Sequence, residues 1–417
     1  MIFGIRTMKI HVTLPLFVFF LVIFCVACNR MNPDGYEGNP VRFTAMGSHA
    51  SETRTSYSGG NVATGQKERI DWKTGDRVKL SSPQAKVYNK SSKPWTLVYS
   101  SDSPQYSVAE YVIGSSVTAE GVYSKSGLQN PTPDDNGLQW DRGTHYFYGV
   151  YPSTGILESN VITASIPKEQ APASVSTTKT VLPGNVDSTY IHPDMSLAWM
   201  WTGQKADAGS SVSLYFTPMI TTFQVSVTGL EEEDIEIEKF QLYSENCALQ
   251  GTYKATVSVS GKVDRTNLSN ASVSFSDIPA SRTSGSNDTL SFTLPPSTKV
   301  SSSKKITVTV FAYPQGASVN RSILDGLSVR FVSPDMNRSL KLKWASDAPG
   351  DNAGQWVPFP AGKKINIDGL TLPRQVNPWT FSVSVGNLEN EISDVAVAPV
   401  TVIPFTEDKV LTPLDEW

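Results

Sequence analysis

Strict alternation of apolar and polar residues is the feature of this 417-residue sequence that most limits its fold. In the segment KITVTVFAY, Ile306, Val308 and Val310 alternate with threonines, and LSVRFV and LKLKWA repeat the pattern with charged residues facing outward. Successive side chains of a strand point to opposite faces of a sheet, so this pattern predicts half-buried antiparallel strands. Turn-forming clusters such as YSGGN, SGSND and APGDNAG separate these segments. The sequence therefore predicts an all-β fold of the β-sandwich type.

The first 27 residues have the composition of a signal peptide. Arg6 and Lys9 precede an apolar run over residues 12–26, which is shorter than the ~20 apolar residues that a membrane-spanning helix needs. Small residues before Cys28 resemble a bacterial lipobox, in which the cysteine is lipidated and becomes the mature N-terminus. We therefore expect Cys28 to carry a lipid anchor, and the alternative is a plain secretory signal.

The cysteine count leaves no internal disulfide in the mature chain. Cys25 and Cys28 belong to the signal region, and only Cys247 remains in the body. We expect Cys247 to be a small buried apolar residue, so stability has to come from an apolar core.

Charge and motifs favour a binding or structural protein over an enzyme. Removal of the signal peptide takes away Arg6, Lys9 and no acidic residue, so the net charge changes from −4 to −6, which gives no reason to expect nucleic-acid binding. The sequence has no metal-binding His/Cys spacing, phosphate-binding loop or nucleophile motif, so no enzyme and no cofactor is predicted. The acidic run from Glu231 to Asp234 is interpreted as a solvated turn.

Patterning divides the chain into five parts. Residues 1–27 form the signal peptide, and residues 28–54 contain the first strand candidate. We expect two β-sandwich units, residues 55–205 and 206–373, followed by a tail over residues 374–417.

Five phrases occur in a fixed order along this division: TRTSYSG, IDWKTGDRVKL, LQWDRGTHYFYGVYPS, LYFTPMITTFQVSVTG and VPFPAGKKINIDGLTLP. Together they resemble the fimbrillin family of Bacteroidetes, the major and minor fimbrial and Mfa-like lipoproteins. The resemblance covers about residues 28–375. It implies two tandem transthyretin-like β-sandwich domains with Greek-key-type antiparallel sheets. Trp140, Tyr146, Tyr148 and Tyr151 in the third phrase are expected to pack in the core and between strands rather than to form a ligand-binding surface.

The resemblance also implies assembly by strand exchange. In polymerising fimbrillins a protease cuts after an arginine behind the first strand, and a strand of the next subunit fills the place that the first strand leaves. The resemblance thus implies that residues 28–54 are a propeptide-like segment, in which the leaving strand is expected at residues 41–45, with Val41, Phe43 and Ala45 facing inward. The bond between Arg54 and Thr55 lies in a polar, glycine-rich stretch and is the expected cleavage site, the alternative being an ordinary surface arginine.

The C-terminal tail contains a candidate donor strand. Val395 and Val397 share one face of the segment, and Val400 and Val402 share the other. Pro399 and Pro404 suit an edge or inserted strand better than a central one. The alternative is that this strand completes its own domain.

The sequence and the family resemblance lead to two alternative expectations about function. The first is a structural or accessory subunit of a fimbrium, with the shaft, tip and anchor roles left open, lipid-anchored in the outer membrane and mediating adhesion. Its partners would be other fimbrial subunits and surface ligands of a host or of other bacteria. The second is a glycan-binding outer-membrane lipoprotein, for which Trp95, Trp199 and Trp201 are candidates, although aromatic residues between apolar ones are more often buried.

Overall fold

The structure, a computed structural model, describes residues 38–47, 56–58, 69–89, 96–102, 108–120, 123–129, 137–178, 186–244, 248–264, 266–278, 288–314, 327–333, 337–342, 361–372, 381–387 and 399–402. These residues form thirty strands and three short 3-10 helices. The helices cover Ser100–Asp102, Met195–Leu197 and Leu268–Asn270. None of them is long and apolar enough to cross a membrane.

The strands of the first half are β1 (Phe43–Gly47), β2 (Ser56–Ser58), β3 (Arg69–Asp71), β4 (Arg77–Ser81), β5 (Lys86–Asn89), β6 (Thr96–Tyr99), β7 (Val108–Glu120), β8 (Tyr123–Gln129), β9 (Thr144–Tyr151), β10 (Ile156–Glu158), β11 (Val161–Ile166), β12 (Glu169–Gln170), β13 (Pro172–Thr178), β14 (Asp187–Pro193) and β15 (Met200–Asp207).

The strands of the second half are β16 (Val212–Tyr215), β17 (Thr217–Pro218), β18 (Thr221–Gly229), β19 (Ile235–Glu236), β20 (Lys239–Ser244), β21 (Gly251–Val259), β22 (Ala271–Ser276), β23 (Thr289–Thr293), β24 (Lys299–Val300), β25 (Lys304–Ala312), β26 (Leu327–Val332), β27 (Asn337–Leu342), β28 (Lys363–Leu372), β29 (Phe381–Asn387) and β30 (Pro399–Val402).

Four large sheets contain most of these strands. The eight-stranded sheet has the order β16-β1-β8-β7-β4-β9-β15-β17, and the seven-stranded sheet has the order β13-β14-β25-β18-β28-β29-β30. The five-stranded sheet runs β12-β23-β20-β26-β27 and the four-stranded sheet β10-β11-β21-β22. The all-β fold predicted from the alternating pattern is confirmed.

Most neighbouring strands are antiparallel, and four pairs are parallel. The parallel pairs are β1 with β16, β12 with β23, β14 with β25, and β18 with β28. A parallel pair cannot be closed by a tight turn, so each of these pairs joins strands that are far apart in sequence.

The alternating pattern places side chains as predicted in the long strands. Phe223, Val225 and Val227 of β18 are buried, as are Ile306, Val308 and Val310 of β25. Their faces meet the apolar faces of other strands in one continuous apolar core. Of the four aromatic residues in the third phrase, Trp140 before β9 and Tyr151 in β9 are buried, while Tyr146 and Tyr148 of β9 are half-buried, and Tyr148 packs against the core.

Two contacts show how the sheets pack. Gly203 of β15 faces β21 so closely that an added Cβ atom would lie 2.7 Å from a methyl carbon of Val259. Between the five- and seven-stranded sheets, the buried Gln170 side chain donates to the carbonyl of Phe311 at 2.7 Å and accepts from its N–H at 3.1 Å. A side chain larger than glycine at residue 203 would force the eight-stranded sheet, which contains β15, away from the four-stranded sheet, which contains β21.

The strand pairing crosses the predicted division of the chain at residue 205. That position lies inside β15, and β16 and β17, which follow it, belong to the same eight-stranded sheet as β15. In addition, β10 and β11 pair within one sheet with β21 and β22. A boundary at 205 would therefore cut a strand, and the division into two units stays a prediction.

Candidate assembly interface

The predicted leaving strand is β1, and it lies inside a sheet. β1 pairs in parallel with β16, where Phe43 is opposite Val212 and Ala45 is opposite Leu214. On its other side it pairs antiparallel with β8, where Ala45 is opposite Ser126. We call the gap between β16 and β8 that residues 41–47 fill the β1 slot. If β1 left, both neighbouring strands would lose a backbone hydrogen-bonding partner.

Side chains of β1 fill the core side of this slot. Val41, Phe43 and Ala45 are 5%, 3% and 0% exposed, so the predicted inward face is confirmed. The ring of Phe43 makes edge contacts with the rings of Tyr111 and Phe147, each with centroids 5.1 Å apart. Removal of β1 would therefore open an aromatic-lined cavity.

The residues just before β1 are fixed to a second segment, residues 137–141. The N–H of Gly38 donates to the carbonyl of Trp140, and the N–H of Val41 donates to the carbonyl of Leu138, both at 2.9 Å. The Tyr111 hydroxyl oxygen accepts from the N–H of Leu138 at 2.9 Å. These bonds align Val41 and Phe43 with the slot before the strand itself begins.

A buried histidine supports that second segment. His145 is fully buried, its Nε2 accepts from the N–H of Asp141 at 3.2 Å, and its Nδ1 lies 3.3 Å from the carbonyl oxygen of Gly143. Burial lowers the pKa of His145, against the raising effect of the Gly143 carbonyl and of Asp141. The neutral ring, with one nitrogen donating and the other accepting, matches both neighbours. Since no metal-binding spacing surrounds His145, the sequence pattern gives no signal for this supporting role.

The outer wall of the slot is β16, and one glutamine holds it. Within the described part of the chain, β16 pairs in the sheet with β1 and with no other strand. The Gln204 amide nitrogen donates to the carbonyl of Ser213 in β16 and to the carbonyl of Val263, both at 2.7 Å. Its amide oxygen accepts from the N–H of Val263, also at 2.7 Å. Gln204, which is 3% exposed, therefore fastens β16 to a loop of the neighbouring sheet.

The other predicted site residues divide into two groups. Cys28, Arg54, Thr55, Val395 and Val397 lie outside the described residues. Val400 and Val402 belong to β30, which pairs antiparallel with β29 at the end of the seven-stranded sheet. The backbone of the candidate donor strand thus has a partner in its own chain on one side, and the donor role stays a prediction.

The acidic run and the candidate glycan-binding tryptophans lie apart from the β1 strand in sequence. In the acidic run Glu232 and Glu233 are exposed, whereas Glu231 and Asp234 are partly buried. Lys304 donates to Asp234 with Nζ–Oδ1 and Nζ–Oδ2 distances of 2.7 and 2.8 Å, which lowers the pKa of this carboxyl group. Trp199 and Trp201 are buried, while Trp95 lies outside the described residues. Among the residues that the structure places, no three His, Cys, Asp or Glu side chains are grouped to hold a metal ion.

Comparisons with known proteins give structural neighbours only. No protein-family model and no curated protein sequence matches the chain. A solved structure of a protein from Bacteroides ovatus assigned to cell adhesion is 12% identical, with a TM-score of 0.43, and the match covers 89% of this chain and 99% of that one. A second protein with the same assignment, from Bacteroides uniformis, is also 12% identical, with a TM-score of 0.42 and 84% and 98% of the two chains covered.

A third neighbour is a fimbrial assembly protein from Parabacteroides distasonis. It is 9% identical to this chain, has a TM-score of 0.30, and the match covers 87% of this chain and 98% of that one. The similarity of these three structures to this chain is distant.

Proposed function

We propose that this protein is a structural or accessory subunit of a bacterial surface fimbrium that assembles by strand exchange and takes part in adhesion. The observation that carries the proposal is the position of β1, a short N-terminal strand seated between β16 and β8 with its apolar side chains in the core. A strand in this position leaves two unpaired sheet edges and a row of pockets when it departs. Both features suit an incoming extended segment, since backbone bonds supply affinity and alternate side chains fill the pockets.

The N-terminal segment supplies the other parts in the required order. Cys28 would anchor the precursor to the outer membrane, β1 follows it, and the Arg54–Thr55 bond lies between β1 and β2. Cleavage at this bond would separate β1 and the lipid anchor from the rest of the chain. The mature subunit could then exchange strands at the cell surface without a lipid of its own.

Processing at Arg54 is tested by the N-terminal sequence of the protein at the cell surface. We expect the mature chain to begin at Thr55, and we expect Arg54→Ala to leave a chain that begins at the lipidated Cys28 and does not polymerise. Arg42→Ala is the matched control, because Arg42 is an exposed arginine in front of β1 and its loss should not change processing. A wild-type surface protein that still begins at Cys28 would contradict the proposed cleavage and the assembly route that depends on it.

The C-terminal tail is proposed as the strand that this chain donates to a different subunit of the fimbrium. It contains the valine-rich residues 394–402, and β30 within it lies at the edge of the seven-stranded sheet, where a strand is more easily released than from a central position. We expect deletion of residues 394–417 to abolish fimbria on the cell surface, seen by electron microscopy, while secretion continues. Fimbria of normal length from the deleted chain would exclude the donor role.

The glycan-binding alternative gains no support from Trp199 and Trp201. A sugar-binding site needs aromatic faces open to solvent, and these two side chains are 6% and 8% exposed.

A further inference from the structure

We infer that the β1 slot selects its incoming strand by side-chain order, with an aromatic residue followed two positions later by a small one, and that this strand comes from a protein other than a second copy of this chain. The inference rests on the proposed strand exchange. It adds the identity of the partner that the slot accepts.

The first side chain that the slot requires is an aromatic ring at the position of Phe43. Tyr111 and Phe147 contact this ring edge-on, and Phe147 is itself in edge contact with Trp140 at 5.5 Å. Tyr111 lies on β7 and Phe147 on β9, two strands that stay in the sheet when β1 leaves. Because these walls cannot close in, an aliphatic side chain such as valine would leave a void beside them.

The second element is the small position of Ala45. Its side chain is 0% exposed, and in the register of the sheet it stands opposite Leu214, which is also 0% exposed. A larger side chain would have to displace packed neighbours, and a charged one would be buried. The slot therefore accepts the order apolar, any, aromatic, any, small, which residues 41–45 themselves have.

Residues 394–417, the candidate donor end of the C-terminal tail, do not contain that order. Their valines at 395, 397, 400 and 402 would put aliphatic side chains at the aromatic position. Phe405 is the one phenylalanine of residues 394–417, and its neighbours two positions away are Ile403 and Glu407. Trp417 at the chain end has Asp415 two positions before it.

The mismatch holds for either direction of the incoming strand. With Phe405 at the aromatic position and the chain direction of β1, Glu407 falls at the fully buried Ala45 position. In the opposite direction Ile403 falls there and Glu407 takes the place of the buried Val41. Each arrangement buries a carboxylate that would need a partner. A second copy of this chain is thus a poor donor, and the slot is suited to a different subunit whose strand has the required order.

The inference is tested on the full chain with a protease recognition sequence inserted into residues 48–55. After folding and cutting, β1 stays seated but is no longer covalently joined, and labelled peptides compete for its place. The peptides are residues 38–47, the same peptide with Phe43→Val or with Ala45→Leu, residues 394–408, and residues 394–408 with Glu407→Ala. The acceptor is identical in every measurement, so a variant peptide cannot act by unfolding it.

We expect the peptide of residues 38–47 to enter, as followed by fluorescence anisotropy and by release of the original segment in mass spectrometry. Each of its two variants should bind about tenfold more weakly or worse. The native C-terminal peptide should fail to enter. Its Glu407→Ala form should enter, because residues 403–407 then have the side-chain order of residues 41–45. Pro404 would take the position of Arg42, whose carbonyl accepts from the N–H of Val212 at 3.0 Å, and proline keeps a carbonyl for this bond.

Two results would overturn the inference in different ways. If the native C-terminal peptide binds as well as residues 38–47, the selection by side-chain order is wrong while strand exchange itself stands. If residues 38–47 do not enter the cut protein at all, the slot does not exchange strands, and both the proposed assembly function and this inference are wrong.

Discussion

Replacing Phe43 with alanine is expected to lower the free energy of unfolding by about 3–5 kcal/mol, the usual range for removing a buried phenylalanine. The ring is 3% exposed and touches two other aromatic rings that are anchored on separate strands. The cavity left behind would stay open because Tyr111 is held by the N–H of Leu138 and Phe147 by its own packing. The loss should appear in urea unfolding of the uncleaved chain, as a lower midpoint with an unchanged slope.

Phe275→Ala is the matched control for this substitution. Phe275 lies on β22, at the edge of the four-stranded sheet, is half-buried, and has its ring centroid 6.1 Å from that of Tyr253. We expect it to cost about 1 kcal/mol, a typical value for a partly exposed position. If the two substitutions destabilise the chain equally, β1 does not contribute to the core in the way that its burial indicates.

The contrast between these two phenylalanines explains what the sequence could predict. Alternation identifies which residues of a strand share a face, and for Val41, Phe43 and Ala45 this was enough to predict their burial. Both phenylalanines lie in alternating segments, VRFTA and SVSFS, which look alike. Whether a strand is central or at an edge depends on its neighbours in space, and alternation carries no information about them.

Pairing between distant parts of the chain was therefore beyond the sequence pattern. β1 and β16 are about 170 residues apart and run parallel, and no local signal marks either strand as the partner of the other. The same holds for β14, which pairs with β25 across the predicted boundary at residue 205. Local composition predicted that boundary, whereas the sheets are built from contacts that span it.

Polar residues inside strands were the least predictable part of the candidate site. In MWTGQKAD the alternation gives no reason to treat Gln204 differently from Lys205, yet Gln204 is buried with three hydrogen bonds to Ser213 and Val263. The reason is a nearby loop, residues 260–264, whose backbone groups need partners once they are buried. Only the three-dimensional arrangement reveals such a requirement.

Replacing Gln204 with leucine is expected to lower the free energy of unfolding by about 3 kcal/mol. Leucine keeps most of the side-chain volume, so the change acts mainly by removing hydrogen bonds. The N–H and carbonyl of Val263, which is 4% exposed, would lose the amide that satisfies both of them. Each buried backbone group left without a partner costs about 1–3 kcal/mol, and the loss at Ser213 adds to this. Thermal or urea unfolding measures the change, with Gln224→Leu as the control.

Gln224 suits this purpose because it lies half-buried on β18, in the seven-stranded sheet, away from the β1 slot. Its replacement should change the free energy of unfolding by less than about 1 kcal/mol.

Gln204→Leu should also weaken the binding of a peptide in the β1 slot. Once β1 has left, Gln204 is the residue that attaches β16 to residues 260–264, and the leucine variant lacks these hydrogen bonds. In the cut protein, peptide 38–47 should therefore bind several-fold more weakly to Gln204→Leu than to Gln224→Leu. Equal binding to the two variants would mean that β16 is held in place without Gln204, and that the outer wall of the slot is set by the packing of Val212 and Leu214 alone.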